Sequence, residues 1–383
     1  MSLESSPANS AAVIPAPYAD LVVRQVPYPA PASGQLAIAV RAVAVNPLDA
    51  IVQSNGRLMS RWLRYPAVLG ADVAGVVVAL GSGVEGFAIG DRVCAFAMGI
   101  EKGHDVVAEG GFQHFVAVQA SVAARIPGST AFEEAAVLPL ALSTAAAALF
   151  ETTQLGLDYS SLGARGERDE IVIVWGGGTS VGANAIQLAR AAGYRVIATA
   201  SPANHERMRL LGAEAILDYR DPQVVAAVAD AARGATVAGI VAIAVGSAEP
   251  CVAIAAATRA RRVALTSPSV SFYDQPRRAG LSWRRIRLLS RLVFSNVLLQ
   301  VRCVRHGIRA RFVWGSSIAS SAVGAAVWGE YLPEALDSGR HQIAPRPRII
   351  GRDLAAVQQG LDLMREGVSA EKLVVQLQRI LPS

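Results

Sequence analysis

At 383 residues the chain is long for one domain and comfortable for two. Its 36 basic and 30 acidic residues give a formal charge of +6, nearly all of the basic side being arginine, with no basic tail and no nucleic-acid motif, so nucleic acid is excluded as a partner. Hydrophobic residues reach 52%, but the longest uncharged runs, 135–150 and 312–329, are interrupted by Pro139, Ser143 and Thr144 and by Gly315, Gly324 and serines; they read as core elements, and a transmembrane segment is excluded.

Residues 1–17 carry Glu4 and no basic stretch ahead of an apolar core, so they read as a flexible leader and not as a signal peptide. Alternation predicts a strand over Leu36 to Val45, ended by Asn46-Pro47. From Val68 to Val93, short β-branched runs bend at glycines, the pattern of a partly closed β-barrel, and Gly110 to Val116 adds a strand. Cys94, Cys251 and Cys303 are too few and too scattered for a disulfide framework or a zinc lobe, and they suit a reducing cytoplasm.

From Phe132 the texture changes to alanine-rich helix. The run Ile171 to Trp175 enters Gly176-Gly177-Gly178-Thr179-Ser180-Val181-Gly182, and a helix begins with Val181, Ala185, Leu188, Ala189 and Ala192 on one stripe. A buried strand, a glycine turn and a helix start aim backbone N–H groups at one point, which suits a dinucleotide pyrophosphate. The glycine spacing departs from the usual fingerprint, so Gly177, Gly178, Thr179, Ser180 and Val181 are expected to share the phosphate contacts through backbone and hydroxyls. Strands at 195–199, 215–217, 239–245, 262–266 and 311–314 then alternate with helices at 205–211, 222–232, 251–258 and 323–336, the pattern of a doubly wound parallel sheet. A helix (354–366) and a strand (372–377) close the chain.

Collinear blocks then resemble the zinc-free medium-chain dehydrogenases/reductases, particularly quinone-oxidoreductase-like proteins and trans-acting enoyl reductases. They are Val45-Asn46-Pro47-Leu48-Asp49, Gly70-Ala71-Asp72-Val73-Ala74-Gly75, Gly90-Asp91-Arg92-Val93, Glu134-Ala135-Ala136-Val137-Leu138-Pro139, the glycine turn, Leu211-Gly212-Ala213 and Val368-Ser369-Ala370-Glu371-Lys372. The resemblance implies an α/β chain in which a GroES-like β-barrel catalytic domain (18–135, completed by 337–383) flanks a Rossmann doubly wound parallel sheet (136–336) with an Arg-rich insert near 275–310. It also implies a cytoplasmic enzyme, a homodimer or a monomer.

In the family's zinc members a Cys stands near Asn46 and a His-Glu pair at Ala71-Asp72; these residues cannot rebuild that ligand set, so no metal is expected. The strand ending Thr199-Ala200-Ser201 has no acid before Glu206. Ser201, Asn204 and His205 can hold a 2′-phosphate and Tyr219 matches an adenosine-site tyrosine, so NADPH is the expected cofactor, although Ala203 replaces a lysine common in relatives. Asn46, Asp49, Val368 and Ser369 match nicotinamide-side and late cofactor contacts, with Asp49 equally readable as a turn residue after Pro47. Thr144, beside Ser143, faces either cofactor or helix packing, and Thr266 and Ser267 end a strand at the ligand-collecting carboxyl edge. No catalytic side chain is identified: Ile51 replaces a lysine common in relatives, which leaves water or Tyr65 to supply a proton.

These readings give a zinc-independent, NADPH-dependent reductase of an activated C=C bond, taking an enoyl thioester or enone. The alternatives are a quinone reductase and a non-catalytic cofactor-binding relative. Between Asp274 and Glu330 there is no acidic residue, and the arginines there read either as a solvated helix over the substrate mouth or as a docking face for an acidic acyl carrier protein, with a membrane-surface helix as a third reading.

Overall fold

Strand β1 (Asn9–Ile14) lies inside the segment read from sequence as a flexible leader, which corrects that reading for its second half. Ala11, Ala12, Val13 and Ile14 are all buried, and β1 pairs on one side with β2 (Val22–Val26) and on the other with β4 (Ala67–Val68). Four consecutive apolar residues between a polar start and Pro15 gave no alternation to read. Asn9 fixes the entry, its amide donating to Gln113 Oε1 at 2.9 Å and accepting from the Phe115 N–H at 3.1 Å. The computed structural model describes residues 7–58, 60–164, 166–273, 275–280 and 282–378, so the first six residues of that segment lie outside it.

The barrel is organised around β3 (Gln35–Ala44), which is buried along nearly its whole length. Helix α1 (Pro47–Asn55) follows it, then β5 (Asp72–Leu80), β6 (Arg92–Phe96), β7 (Phe115–Gln119) and β8 (Ala123–Arg125). The strand expected over 110–116 thus begins later, because the Gly111 and Phe112 N–H groups donate to the Gly70 and Leu69 carbonyls of the β4–β5 turn instead. Sequence reading passed over α1 although Pro47 at its first turn and Asp49 at its third position are helix-start signals.

Short helix α2 (Phe132–Ala135) leads into α3 (Pro139–Phe150), whose apolar length is core. The two together pass the length and hydropathy test for a membrane span, yet 72% of that window is buried inside the protein. Beyond them come β9 (Ile171–Trp175), α4 (Ser180–Ala191), β10 (Arg195–Thr199), α5 (His205–Leu210), β11 (Ala215–Leu217), α6 (Val224–Ala231), β12 (Val237–Ala242), α7 (Ala248–Thr258), β13 (Arg262–Leu265), α8 (Trp283–His306) and β14 (Arg309–Phe312). Among the described residues these strands form one parallel sheet in the order β11-β10-β9-β12-β13-β14, the doubly wound arrangement expected. Helices α9 (Ala322–Gly324) and α10 (Leu332–Asp337) flank a π-helical stretch, Ala325–Tyr331. The tail then returns to the barrel: β15 (Arg346–Gly351), α11 (Ala356–Glu366) and β16 (Glu371–Gln376), with β16 antiparallel to β3.

The Arg-rich segment is not an addition to this topology. Helix α8 is the crossover between the parallel neighbours β13 and β14, and its Leu299 and Cys303 belong to the sheet's core. Nor are all its arginines solvated. Arg285 is buried, donating to the carbonyls of Gly280 (2.7 Å) and Arg278 (3.1 Å), and Arg277 pairs with Asp20 at 2.6 Å and the Tyr18 carbonyl at 3.0 Å.

The turn between β9 and α4 requires glycine at its end. A Cβ on Gly182 would sit 2.2 Å from the Gly176 carbonyl oxygen, whereas one on Gly178 would meet nothing nearer than the Asn204 amide at 3.4 Å. Gly182→Ala is therefore expected to destabilise the fold by about 1–3 kcal/mol, and Gly178→Ala by no more than about 0.5 kcal/mol. Chemical denaturation of both variants checks this; equal losses would contradict the turn geometry.

Candidate active site

The register of β3 gathers three residues from distant parts of the chain. Asp72 opens β5 opposite Ala44, and Val374 of β16 pairs with Ala44 from the other side, so Lys372 lies across from Asn46 just past the end of β3. The Lys372 ammonium stands 2.8 Å from Asp72 Oδ2 and donates to Asn46 Oδ1, while Asn46 Nδ2 donates to the same Asp72 oxygen at 2.8 Å. The other Asp72 oxygen accepts the Leu140 N–H, at 2.6 Å, from the first turn of α3. Asp72 has no exposure and Lys372 only 4%, so this is a buried ion pair. Lys372 was quoted only within a matching block in the sequence reading; its role depends on strand register, which no local signal carries.

Asp49 supports this group from below. Its two oxygens accept the N–H groups of Asn46 (2.9 Å) and Gly70 (3.1 Å), locking the end of β3 to the β4–β5 turn. Burial pushes its carboxyl up to about 7 against the pull of those donors. Of the two readings of Asp49, the turn residue after Pro47 is the one these contacts express, at the start of α1. Cys94, also beside Asp72, is held up to about 12, chiefly by burial.

The positions where zinc-binding relatives carry ligands are therefore an amide (Asn46), a methyl (Ala71) and a carboxylate (Asp72) already neutralised by an ammonium. A cation placed there would be repelled by Lys372 and would have no thiolate or imidazole, so these residues do not fit zinc.

A second group lies on the loop after β6. Trp314 Nε1, just beyond β14, donates to Glu101 Oε2 at 2.7 Å, joining the parallel-sheet side to the barrel. His104 Nδ1 lies 2.6 Å from Glu109 Oε2; that hydrogen bond raises the imidazole's pKa, and burial raises that of Glu101. No motif in the sequence marks His104, because its partner Glu109 lies within the same loop. Tyr65, named as a proton source, packs against the barrel core.

On the parallel-sheet side the glycine turn is tied to β10 by Gly177 N–H to the Thr199 carbonyl at 2.8 Å and Gly176 N–H to Thr199 Oγ1 at 3.1 Å. Thr179 caps α4: its hydroxyl accepts from Gly182 N at 3.0 Å and donates to the Gly176 carbonyl at 2.8 Å. That hydroxyl serves the turn itself, which leaves Ser180 and the first N–H groups of α4 facing the open end. Beside it, Asn204 Nδ2 donates to Ser201 Oγ at 2.9 Å and a His205 ring nitrogen lies 3.1 Å from the Ala200 carbonyl. Tyr219 is exposed next to Arg220.

Thr266 Oγ1 bonds the Ala242 carbonyl at 3.3 Å, and Ser267 Oγ accepts the Ala244 N–H at 3.0 Å, holding Ala244 at a φ of 75° on the carboxyl edge of the sheet. Thr144 instead bonds its own helix, at the Leu140 carbonyl (2.7 Å), and lies under Gly315; buried Ser143 accepts from Trp328 Nε1 at 3.2 Å. Of its two readings, packing is the one these contacts express. Val368 packs against the barrel core and Ser369 is exposed, next to Ala370, whose carbonyl takes Arg207 Nη1 from α5 at 3.3 Å. That contact brings the segment before β16 against α5.

Residues 32–128 match the alcohol dehydrogenase GroES-like domain family. The chain is 40% identical over 373 residues to dehydrogenase pigH of Monascus ruber, covering 97% of this chain and 100% of the relative. It is 36% identical over 347 residues to trans-enoyl reductase himH of Aspergillus japonicus, covering 90% of each. A solved alcohol dehydrogenase superfamily protein from Novosphingobium aromaticivorans superposes with a TM-score of 0.67 at 26% identity, over 97% of this chain and 100% of that one.

Lys372→Met leaves the Asp72 carboxylate buried without its cation and is expected to destabilise the protein by about 3–5 kcal/mol. Lys372→Met with Asp72→Asn should recover much of that loss in a double-mutant cycle by denaturant unfolding. Additive losses would mean that the two side chains do not interact as the geometry requires.

Proposed function

Because the chain belongs to the medium-chain dehydrogenase/reductase superfamily, we propose that it is a zinc-independent, NADPH-dependent reductase of a C=C bond conjugated to a carbonyl, with an enoyl thioester or enone as substrate. The observation that carries this reading is the buried Lys372–Asp72–Asn46 group. An amide and a carboxylate already paired with an ammonium supply no Lewis acid to activate an isolated carbonyl, which favours an acceptor already activated by conjugation, as an enoyl thioester or enone is. The name of the himH relative, a trans-enoyl reductase, supports the same substrate class.

The bound cofactor supplies hydride, and the protein supplies position, a dry site and a proton. The glycine turn and the α4 N-terminus would hold the pyrophosphate, and Thr266 and Ser267 would border the cofactor along the carboxyl edge. The residues after β10 support NADPH over NADH: Ser201, Asn204 and His205 would hold a 2′-phosphate, and the acid that would repel it is absent until Glu206, which is exposed. On the substrate side, Asn46 is fixed by Lys372 and Asp72, and His104 with Glu109 forms the titratable pair on the loop that reaches Trp314.

Initial rates with NADPH and NADH against enoyl thioesters, simple enones and quinones test the proposal. A preference for NADPH of about tenfold or more in kcat/KM is expected, since charged hydrogen bonds contribute about 1.5–3 kcal/mol, with turnover of the conjugated thioester or enone. Equal use of both cofactors would remove the 2′-phosphate assignment, and turnover of quinones alone would remove the enoyl reading.

A further inference from the structure

Helix α8 has a second apolar face. On its inward stripe Leu288, Leu299 and Cys303 are buried, and Leu299 and Cys303 pack on the parallel sheet. On the opposite side Trp283, Ile286, Phe294, Val297, Val301 and Val304 stand in solvent, with Trp283 77%, Phe294 72% and Val304 80% exposed. Helical geometry places them within a stripe roughly 100° wide running along a helix about 36 Å long. Arg284, Arg287, Arg291, Arg302 and Arg305, all exposed, line one edge of that stripe, and the other edge is uncharged. No acidic residue lies between Asp274 and Glu330 to neutralise them.

We propose that this outward face of α8 seats the protein on an anionic lipid surface, with the apolar ridge in the headgroup–acyl boundary and the arginine row on lipid phosphates. A ridge of side chains running the length of a helix needs no complementary socket in a fluid interface, and Trp and Phe beside a row of Arg are the side chains that such an interface takes up. Self-pairing is opposed by charge, because an antiparallel two-fold contact through the ridge would lay each arginine row against its copy. An acidic protein would engage the arginines but leave most of the ridge without a partner. The face is also rigidly presented: Arg285 and Arg277 tie the start of α8 to the barrel through Tyr18 and Asp20, and Leu299 and Cys303 tie its second half to the sheet.

Co-sedimentation of the full chain with vesicles tests this. Mixed phosphatidylcholine–phosphatidylserine vesicles are expected to pellet the protein, pure phosphatidylcholine to pellet far less, and added salt to release it. Phe294→Ser with Val297→Ser, both on the exposed face, should lower the partition coefficient by at least about tenfold, with an unchanged unfolding midpoint. Arg284→Gln with Arg291→Gln should lose about tenfold on the anionic vesicles and little on the neutral ones. Failure to pellet with anionic vesicles overturns the proposal. So does a concentration-dependent dimer that Phe294→Ser abolishes, which would make the ridge a self-interface. Binding of an acidic carrier protein that the arginine variants abolish, with vesicle binding unaffected by every variant, overturns it as well.

Discussion

A carboxylate with no access to water has to be neutralised where it stands, and Asp72 imposes that requirement on three parts of this chain. Its partners come from the end of β3 (Asn46), from the returning tail (Lys372) and from the first turn of α3 (the Leu140 N–H). Taking the two ions out of water costs several kcal/mol each, and their attraction does little more than offset that. What the group supplies is alignment: barrel, tail and α3 meet at one point. Asp49 extends the same scheme by spending both oxygens on backbone N–H groups instead of on solvent or ligand.

The opposite wall is built by hydroxyls that hold backbone. Thr179, Thr199 and Ser267 each bond main-chain groups at the carboxyl edge of the parallel sheet, so the glycine turn and the strained Ala244 are fixed independently of any ligand. Such a preformed edge lowers the ordering cost of binding. Two further contacts, Trp314 to Glu101 and Arg207 to Ala370, join the parallel-sheet unit to the barrel and to the tail.

Most of the architecture was legible in the sequence because it rests on local signals. Runs such as Ile171 to Trp175, the glycine turn and the alanine-rich stripe of α4 identify strand, turn and helix within a dozen residues, and their alternation identifies the doubly wound sheet. What was not legible depends on distance or on burial. Lys372 and Asn46 are 326 positions apart and meet only through the register of β16 on β3. Residues 9–14 look like leader until β2 and β4 cover both edges. Arg285 looks like one more solvated charge, but backbone carbonyls of Arg278 and Gly280 satisfy it internally. Composition likewise marked 275–310 as unusual without showing that α8 is an ordinary crossover with an uncovered outer face.

Lys372 is buried against Asp72 and Asn46, and because the chain has two lysines its ammonium is directly observable. In protein labelled with 15N-lysine, the Lys372 ammonium should give a signal protected from solvent exchange at neutral pH, distinct from that of Lys102 and unmoved by stoichiometric zinc. A Lys372 signal that exchanges as freely as that of Lys102, or one that shifts or disappears when zinc is added, would contradict the account.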